Sequence, residues 1–354
     1  MFNFKPNIFK QEIGIDLGTS NTVIFAKSKG IVVDEPSVVA VKKVNRKGEK
    51  EIIAFGHNAK KMIGRTPVGI TTYRPLSYGV IADFDMTKAM MEHYMNEAAK
   101  SGVFSHPSVA VCVPANVTEV EKRAVVEVTL AAGAREAFVV EEPIAAARGI
   151  DLPIDDAQGC MIVSMGGGNC EVAVLSLGGI VTNQSVRVAG ESIDDAIVTM
   201  MRQKYMLAIG DITAEEVKMA VGAVVPLEQE LKIDVKGLGL TSGLPEVVQV
   251  TSTEVRETME PIIAQIGDAI RATLEITPPE LVRDIVDQGI VLSGGLSQLR
   301  GINIRFADAL NVPVHIAEEP RYAVAKGLGK ILELPRSKNI SNVPVGSNVN
   351  SGKE

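Results

Sequence analysis

The sequence contains one short pattern twice, and this repeat constrains the fold more than any other feature. Residues 12–26 read EIGIDLGTSNTVIFA, and residues 160–174 read CMIVSMGGGNCEVAV. Each segment has an apolar run typical of a strand, a tight turn of small and polar residues, and a second apolar run. A constant offset of 148 positions pairs Asp16 with Ser164, Gly18 with Gly166 and Asn21 with Asn169. The repeat predicts two related halves with a β-hairpin at the same place in each.

The two turns have the composition of anion-binding loops. Small residues let backbone N–H groups approach an anion closely, and hydroxyl and amide side chains add further donors. One such turn is weak evidence, but two at matching places favour paired lobes that hold one polyphosphate between them. The turns differ in charge, because Asp16 can organise a metal ion in the first, whereas the second has Ser164 at that place.

Composition limits the class of protein. A chain of 354 residues predicts more than one core, since domains run to ~100–200 residues. The formal net charge of −7, without a long basic run, argues against nucleic acid as a partner. Cys112, Cys160 and Cys170 lack CxxC spacing and are predicted to be free thiols. No apolar run approaches the ~18 residues needed to span a bilayer, so a cytoplasmic location is expected.

Periodicity and capping signals predict alternating strands and helices. Apolar residues at helical spacing predict a helix from Met86 to about Lys100, with Asp85 as its cap. Residues 118–121 form a capping-box pattern that begins a second helix. A long helix is predicted near 253–276, and the polar tail 336–354 is predicted to be disordered.

The ordered motifs of the chain resemble those of MreB, the family of bacterial actin homologues within the superfamily of actin, sugar kinases and heat-shock chaperone ATPases. The resemblance covers about residues 10–335. It rests on IGIDLGTSNT (13–22), FGHNAKKMIGRTP (55–67), GVIADF (79–84), VCVPANVTEVEKRAV (111–125), GAREAFVVEEPIAAARG (133–149), VAVLSLGGIV (172–181), TPPELVRDI (277–285) and GIVLSGGLSQLRG (289–301).

The fold implied by the resemblance is an α/β, actin-like fold. Two duplicated ribonuclease H-like lobes would each carry an inserted subdomain, with nucleotide in the cleft between them. The expected division is a first lobe core at 1–31 and 76–146 with an insert at 32–75, and a second lobe core at 147–187 and 246–335 with an insert at 188–245.

The resemblance also implies ATP and Mg²⁺ as cofactors and assigns roles to residues. Asp16 would organise Mg²⁺ through water, and Glu142, directly before Pro143, would position the attacking water. The remaining assignments form two phosphate loops, a nucleoside-contacting helix and an adenosine loop: Gly18, Thr19, Ser20, Asn21 and Thr22; Gly166, Gly167, Gly168 and Asn169; Glu215, Glu216, Val217 and Lys218; and Gly294, Gly295, Leu296 and Ser297.

The second phosphate loop departs from the family pattern. MreB proteins usually read Asp-Ile-Gly-Gly-Gly-Thr-Thr-Glu, whereas this chain has Ser164 for the carboxylate and Asn169 and Cys170 for the two threonines. If each lost contact removes ~2–4 kcal/mol of transition-state stabilisation, the rate falls ~10²–10³-fold per contact. The Gly-rich backbone remains, so we expect nucleotide binding to persist with weak or absent hydrolysis, which makes the protein at most a weak ATPase.

Simpler structural interpretations exist for the same residues. A Gly-Gly-Gly run alone is more often a hairpin turn than a phosphate site. Glu142 could be a solvated charge at a helix start, where carboxylates are favoured. Glu215 and Lys218 could form an ordinary i,i+3 surface pair. Arg148 has no evident purpose in the sequence.

The resemblance implies a filament-forming cytoskeletal protein that supports cell shape, or motility in a specialised paralogue. Alternatives are an active ATPase of the same fold, a regulator of another MreB that forms no filaments, a sugar-kinase-like enzyme and a chaperone-type ATPase. Expected partners are other copies of the chain and other MreB paralogues. Val103 and Phe104 lie where relatives often present an apolar pair to lipid, so peripheral membrane contact is an open alternative.

Overall fold

The computed structural model describes residues 12–27, 29–44, 50–100 and 106–334, which form two lobes. Val103, Phe104 and the tail 336–354 lie outside the described residues. In chain order, the first half contains β1 (Glu12–Leu17), β2 (Asn21–Ala26), β3 (Gly30–Pro36), β4 (Val39–Lys43), β5 (Lys50–Phe55), α1 (Gly56–Lys60), β6 (Ile70–Tyr73), β7 (Leu76–Ser77), β8 (Val80–Ile81), α2 (Phe84–Lys100), β9 (Ser108–Val113), α3 (Glu119–Ala131), β10 (Glu136–Glu141) and α4 (Glu142–Gly149).

The second half continues with strands and helices in alternation. They are β11 (Cys160–Met165), β12 (Cys170–Ser176), β13 (Gly179–Val186), α5 (Gly190–Tyr205), β14 (Leu207–Ala208), α6 (Asp211–Val221), β15 (Lys232–Gly239), β16 (Pro245–Thr251), α7 (Ser252–Glu275), α8 (Pro279–Gln288), β17 (Ile290–Ser293), α9 (Ile302–Leu310), β18 (Val314–Ile316) and α10 (Ala323–Glu333), with short 3₁₀ turns at Gly295–Gln298 and Pro320–Tyr322. No helix in the described ranges is long and apolar enough to cross a bilayer.

The two lobes are built on one repeated sheet. The first sheet has the order β3-β2-β1-β9-β10, and the second has the order β13-β12-β11-β17-β18. In both, three antiparallel strands are followed by two parallel ones. Asp16 pairs with Val23 and Ser164 pairs with Glu171, which are the same two positions after the offset of 148. The predicted duplication and actin-like architecture are therefore confirmed.

Each lobe carries a smaller sheet. Strands β5, β4 and β6 form one with α1 beside it, and β14, β15 and β16 form the other next to α6. Strand β3 pairs with β2 as far as Pro36, so the sheet of the first lobe extends past the boundary expected at residue 31.

Helices α4 and α10 lie between the two sheets and join the lobes. A Cβ atom at Gly149 would lie 1.8 Å from the Ala323 carbonyl oxygen, and one at Gly327 would lie 1.7 Å from the Ala145 oxygen. Only glycine permits this backbone approach. The apolar core around the crossing draws on strands of both lobes, including β9 and β11. The lobes thus share a buried junction at this crossing.

Side-chain caps set the starts of α2, α3 and α7. The capping box of α3 forms as predicted, with Thr118 and Glu121 exchanging hydrogen bonds. The prediction that Asp85 caps α2 was wrong. The Oδ1 atom of Asp83 accepts from the backbone N–H of Met86, and Asp85 lies inside the first turn. Arg148, which had no evident purpose, donates to both carboxylate oxygens of Asp155 at 2.9 and 2.7 Å.

The cap of α7 gives a test of this description. Thr251 Oγ1 accepts from the Glu254 backbone N–H at 3.3 Å, and the Glu254 carboxylate accepts from the Thr251 N–H at 2.8 Å. Loss of an N-cap side chain costs about 1 kcal/mol. We expect Thr251→Ala to lower the thermal midpoint measured by circular dichroism, whereas Thr251→Ser keeps the hydroxyl and should unfold close to the wild type. Equal midpoints for the two variants would show that the cap contributes nothing.

Candidate functional site

A cavity of about 580 Å³ lies between the lobes and is lined by both of them. The turn after β1 and the turn after β11 enter it from opposite sides, at the ends of the two repeated hairpins. Helices α5 and α6 and the 3₁₀ turn at Gly295–Gln298 also contribute to its wall. Its volume is that of a small-molecule site.

The two hairpin turns contact each other in this cavity. A Cβ atom at Gly167 would lie 1.9 Å from the Ser20 Oγ atom, and one at Gly168 would lie 2.7 Å from the Thr19 Oγ1 atom. A hydrogen bond from the Gly166 N–H to the Asn169 oxygen at 3.0 Å closes the second turn. Two loops that are 148 residues apart in sequence therefore form one polar surface.

The second turn contains a buried donor that needs a partner. Asn169 is 8% exposed, and its Nδ2 atom has no hydrogen-bond partner among the described residues. A buried amide donor left unpaired costs about 1–3 kcal/mol. Since Asn169 lines the cavity, a ligand with acceptor oxygens, such as a phosphate, would satisfy it.

Carboxyl groups cluster beneath the two turns. Burial of the Asp16 carboxyl, with the negative charges of Glu142 and Asp34 nearby, raises its pKa to about 8. Burial raises the pKa of Glu142, although a hydrogen bond from Ser164 opposes this, with Oγ and Oε1 2.5 Å apart. Burial and the Glu142 charge raise the pKa of Glu171 well above its usual range. A cation placed here would favour the ionised forms.

The donor chemistry fits a hydrated Mg²⁺ ion better than a directly ligated transition metal. Among the described residues, no group of three or more His, Cys, Asp and Glu is arranged to ligate a metal. Mg²⁺ keeps much of its water shell and is often held by one or two carboxylates together with substrate phosphates. Asp16 lines the cavity beside the first turn and offers hard oxygen atoms for this purpose.

Ion pairs span the cleft between the lobes. The Lys60 ammonium of α1 lies 2.6 Å from the Glu215 carboxylate of α6. Arg74 lies 3.1 Å from Glu191 at the start of α5, and the Ser20 hydroxyl donates to the same carboxylate at 3.0 Å. We call the Lys60–Glu215 and Arg74–Glu191 contacts the cross-lobe ion pairs. They connect the first lobe to helices α5 and α6 of the second lobe.

Lys218 is held in place by groups of the second lobe. Its ammonium contacts Asp194 at 2.8 Å and donates to the Gly190 carbonyl oxygen at 2.9 Å. Burial raises the pKa of Asp194 to about 6 although the Lys218 charge opposes the shift. The Asp194 Oδ1 atom is buried without a partner among the described residues, so the cavity wall contains an unpaired acceptor as well as an unpaired donor.

Most of the predicted site residues line the cavity. They are Asp16, Gly18, Thr19, Ser20, Asn21, Glu142, Ser164, Gly166, Gly167, Asn169, Glu215, Lys218, Gly294, Gly295 and Leu296. Five others lie near it without lining it: Thr22, Gly168, Glu216, Val217 and Ser297. Val217 packs in the core of the second lobe, and Glu216 on the same helix is exposed. Cys170 is buried, and all three cysteines are free.

Sequence reasoning missed several cleft residues. The cavity is also lined by Lys60, Arg74, Glu191 and Asp194. The first two belong to the first insert, and the last two lie at the start of α5. Lys60 lies inside the motif FGHNAKKMIGRTP, yet its spacing to the hairpin turns gives no sign of its partner. Only the placement of the lobes brings these four side chains to the cleft.

Known proteins share both the sequence and the fold. The sequence model of the MreB/Mbl protein family matches residues 10–340. The cell shape-determining protein MreB of Escherichia coli is 43% identical over 329 residues, which cover 92% of this chain and 94% of that protein. Mbl of Bacillus subtilis is 42% identical over 335 residues, which cover 94% of this chain and 99% of that protein. MreB5 of Spiroplasma citri, solved with ADP and with AMPPNP, superposes with a TM-score of 0.86 at 34% identity. The match covers 92% of this chain and 96% of that chain.

The contact between the two turns can be tested with one added methyl group. In Gly167→Ala the new Cβ would clash with Ser20 and push the turns apart. Such overpacking costs ~1–3 kcal/mol, so we expect binding of a fluorescent ATP analogue to weaken about tenfold. Gly179→Ala is the control, because its Cβ would meet nothing within 4 Å. Unchanged affinity in the first variant would show that the turns do not need to touch.

Proposed function

The chain belongs to the MreB/Mbl family, and from that premise we propose that its subunits bind ATP and Mg²⁺ in the cleft, assemble into cytoskeletal filaments and hydrolyse ATP slowly or not at all. The family is one of actin-like cytoskeletal proteins, and the relatives in Escherichia coli and Bacillus subtilis are cell shape-determining proteins. The observation that carries the proposal is the contact between two hairpin turns from opposite lobes in one cavity.

Phosphate binding follows from the donors in the two turns. The Asn169 amide supplies a buried N–H group without a partner among the described residues, and the Thr19 hydroxyl lines the same cavity. Among the described residues that line the cavity, seven carry carboxylates and five carry cationic side chains. A polyphosphate would therefore meet several carboxyl groups in the cleft, which favours its complex with a divalent cation over the free anion. When bound, Mg²⁺ supplies neutralisation of phosphate charge.

The nucleoside end of the ligand is assigned to the second lobe. Glu215 and Lys218 lie on one face of α6 and line the cavity, with Gly294 and Gly295 across from them. The Cβ position of Gly295 is open, so a flat base can approach its backbone closely. The solved complexes of Spiroplasma citri MreB5 with ADP and AMPPNP support an adenine nucleotide as the ligand.

Slow hydrolysis follows from the altered second loop. Glu142 is the residue proposed to position the attacking water, and it borders the cavity from below the turns. Ser164 contributes no charge there, so one carboxylate fewer is available to order the water shell of the metal. Phosphoryl transfer depends mainly on positioning and on charge neutralisation, and both are reduced by this change.

Filament assembly is supported by an exposed apolar surface on the second insert. Leu238, Leu240, Leu244 and Val247 lie around the β15–β16 hairpin, and Leu244 is 63% exposed. Grouped apolar side chains on a surface mark sites of association. Head-to-tail contacts that do not close into a ring generate filaments. Membrane contact at Val103 and Phe104, and contact with MreB paralogues, stay predictions.

Sedimentation tests the assembly. Wild-type protein should pellet with ATP or AMPPNP and show filaments in electron micrographs, whereas Leu244→Glu, which places a charge in the apolar surface, should stay in the supernatant. Leu177→Glu is the matched control, because Leu177 is 73% exposed on the β12–β13 turn, outside that surface. Wild-type protein that forms no polymer under any nucleotide condition would contradict the proposal.

Restoring the family residues tests the account of hydrolysis. The double variant Ser164→Asp, Asn169→Thr returns a carboxylate and a hydroxyl to the second loop. We expect its phosphate release to rise by ~10² or more, the gain of about one transition-state contact. Nucleotide affinity and the thermal midpoint serve as controls for folding. A folded, nucleotide-binding double variant without any gain would show that the defect lies elsewhere.

A further inference from the structure

We propose that Ser164 is a positioning residue that restrains Glu142, so that slow hydrolysis has a second cause besides the missing carboxylate. The Ser164 hydroxyl holds the Glu142 carboxylate against strand β11 and away from the water that it would orient. This inference rests on the proposed function, since it concerns the hydrolysis of the bound nucleotide. Ser164, which the sequence shows only as the loss of a carboxylate, therefore also acts on Glu142 directly.

The geometry of the contact is well defined. Ser164 Oγ donates to Glu142 Oε1 at 2.5 Å, and Ser164 is 2% exposed. Ser164 lies on β11, which is paired on both sides, by β12 and by β17. The hydroxyl thus projects from one of the most constrained strands of the second lobe.

The other partner is equally constrained in its backbone. Glu142 is the first residue of α4, is followed by Pro143, and belongs to the helix that crosses α10 at the junction of the lobes. Proline fixes its own backbone angle and restricts the residue before it. Because neither backbone can shift, Glu142 leaves β11 only by rotation of its side chain, which breaks the hydrogen bond.

The chemistry of the contact weakens Glu142 as a group that orients water. Hydrogen bonds to an ionised carboxylate are stronger than neutral ones, particularly where solvent is scarce. An oxygen that already accepts from a hydroxyl is a poorer acceptor for water and is directed toward β11. A carboxylate at position 164 would repel Glu142 instead, as Asp16 and Glu171 do. With serine at position 164, a hydrogen bond to Glu142 therefore replaces the electrostatic repulsion that a carboxylate would cause.

A set of variants at position 164 separates the two causes. Ser164→Ala removes the hydroxyl without adding a carboxylate, and Ser164→Thr retains the hydroxyl. We expect phosphate release from Ser164→Ala to rise about tenfold, the effect of one charge-assisted hydrogen bond, with the change in kcat and not in KM. Ser164→Thr should keep the slow rate. Ser164→Cys preserves the volume with a weaker donor, should give an intermediate rate, and replaces Ser164→Ala if that variant does not fold.

The link to Glu142 is tested by a double-mutant cycle. The double variant Ser164→Ala, Glu142→Gln should release phosphate no faster than Glu142→Gln alone, because no carboxylate remains to be released. Ser164→Ala at the wild-type rate, or a gain that persists in the double variant, would overturn the inference. Binding of a fluorescent ATP analogue is measured on every protein in the set. Absence of binding to the wild type would overturn the proposed function itself, which is a distinguishable result.

Discussion

The crossing of α4 over α10 is the contact on which the rest of the structure depends. Gly149 and Gly327 allow the two backbones to touch, and the core around them takes side chains from the sheets of both lobes. A methyl group at either position would meet a carbonyl oxygen at less than 2 Å. This junction sets where the two repeated hairpins point, so the cleft between their turns is a consequence of how closely two helices pack.

The cleft combines groups that a ligand would stabilise. The turns supply an amide donor without a partner among the described residues, and carboxyl groups whose pKa values are raised lie beneath them. A polyphosphate with a divalent cation would resolve both conditions at once, since its oxygens would accept from the amide and its metal would neutralise the carboxylates. Ser164 sits where these two parts of the site meet, and its hydroxyl is already engaged with Glu142.

Local features of the chain could be predicted from sequence, and contacts between its lobes could not. The repeated hairpins, the α3 capping box and the free cysteines follow from residue types within short windows. The Asp83 cap was missed because two acidic residues compete at the start of α2. The pairing of Lys60 with Glu215 was missed because 155 positions separate them and only the junction of the lobes brings them together.

The cross-lobe ion pairs have a consequence for how long a nucleotide stays bound. Lys60 and Arg74 bridge the cleft from the first lobe to Glu215 and Glu191 of the second. A nucleotide bound between the lobes would lie behind these two bridges, so its release would be coupled to their breaking. Nucleotide exchange in a filament subunit would then be slow even when the phosphate contacts are weak. Each subunit would keep the nucleotide with which it joined the polymer.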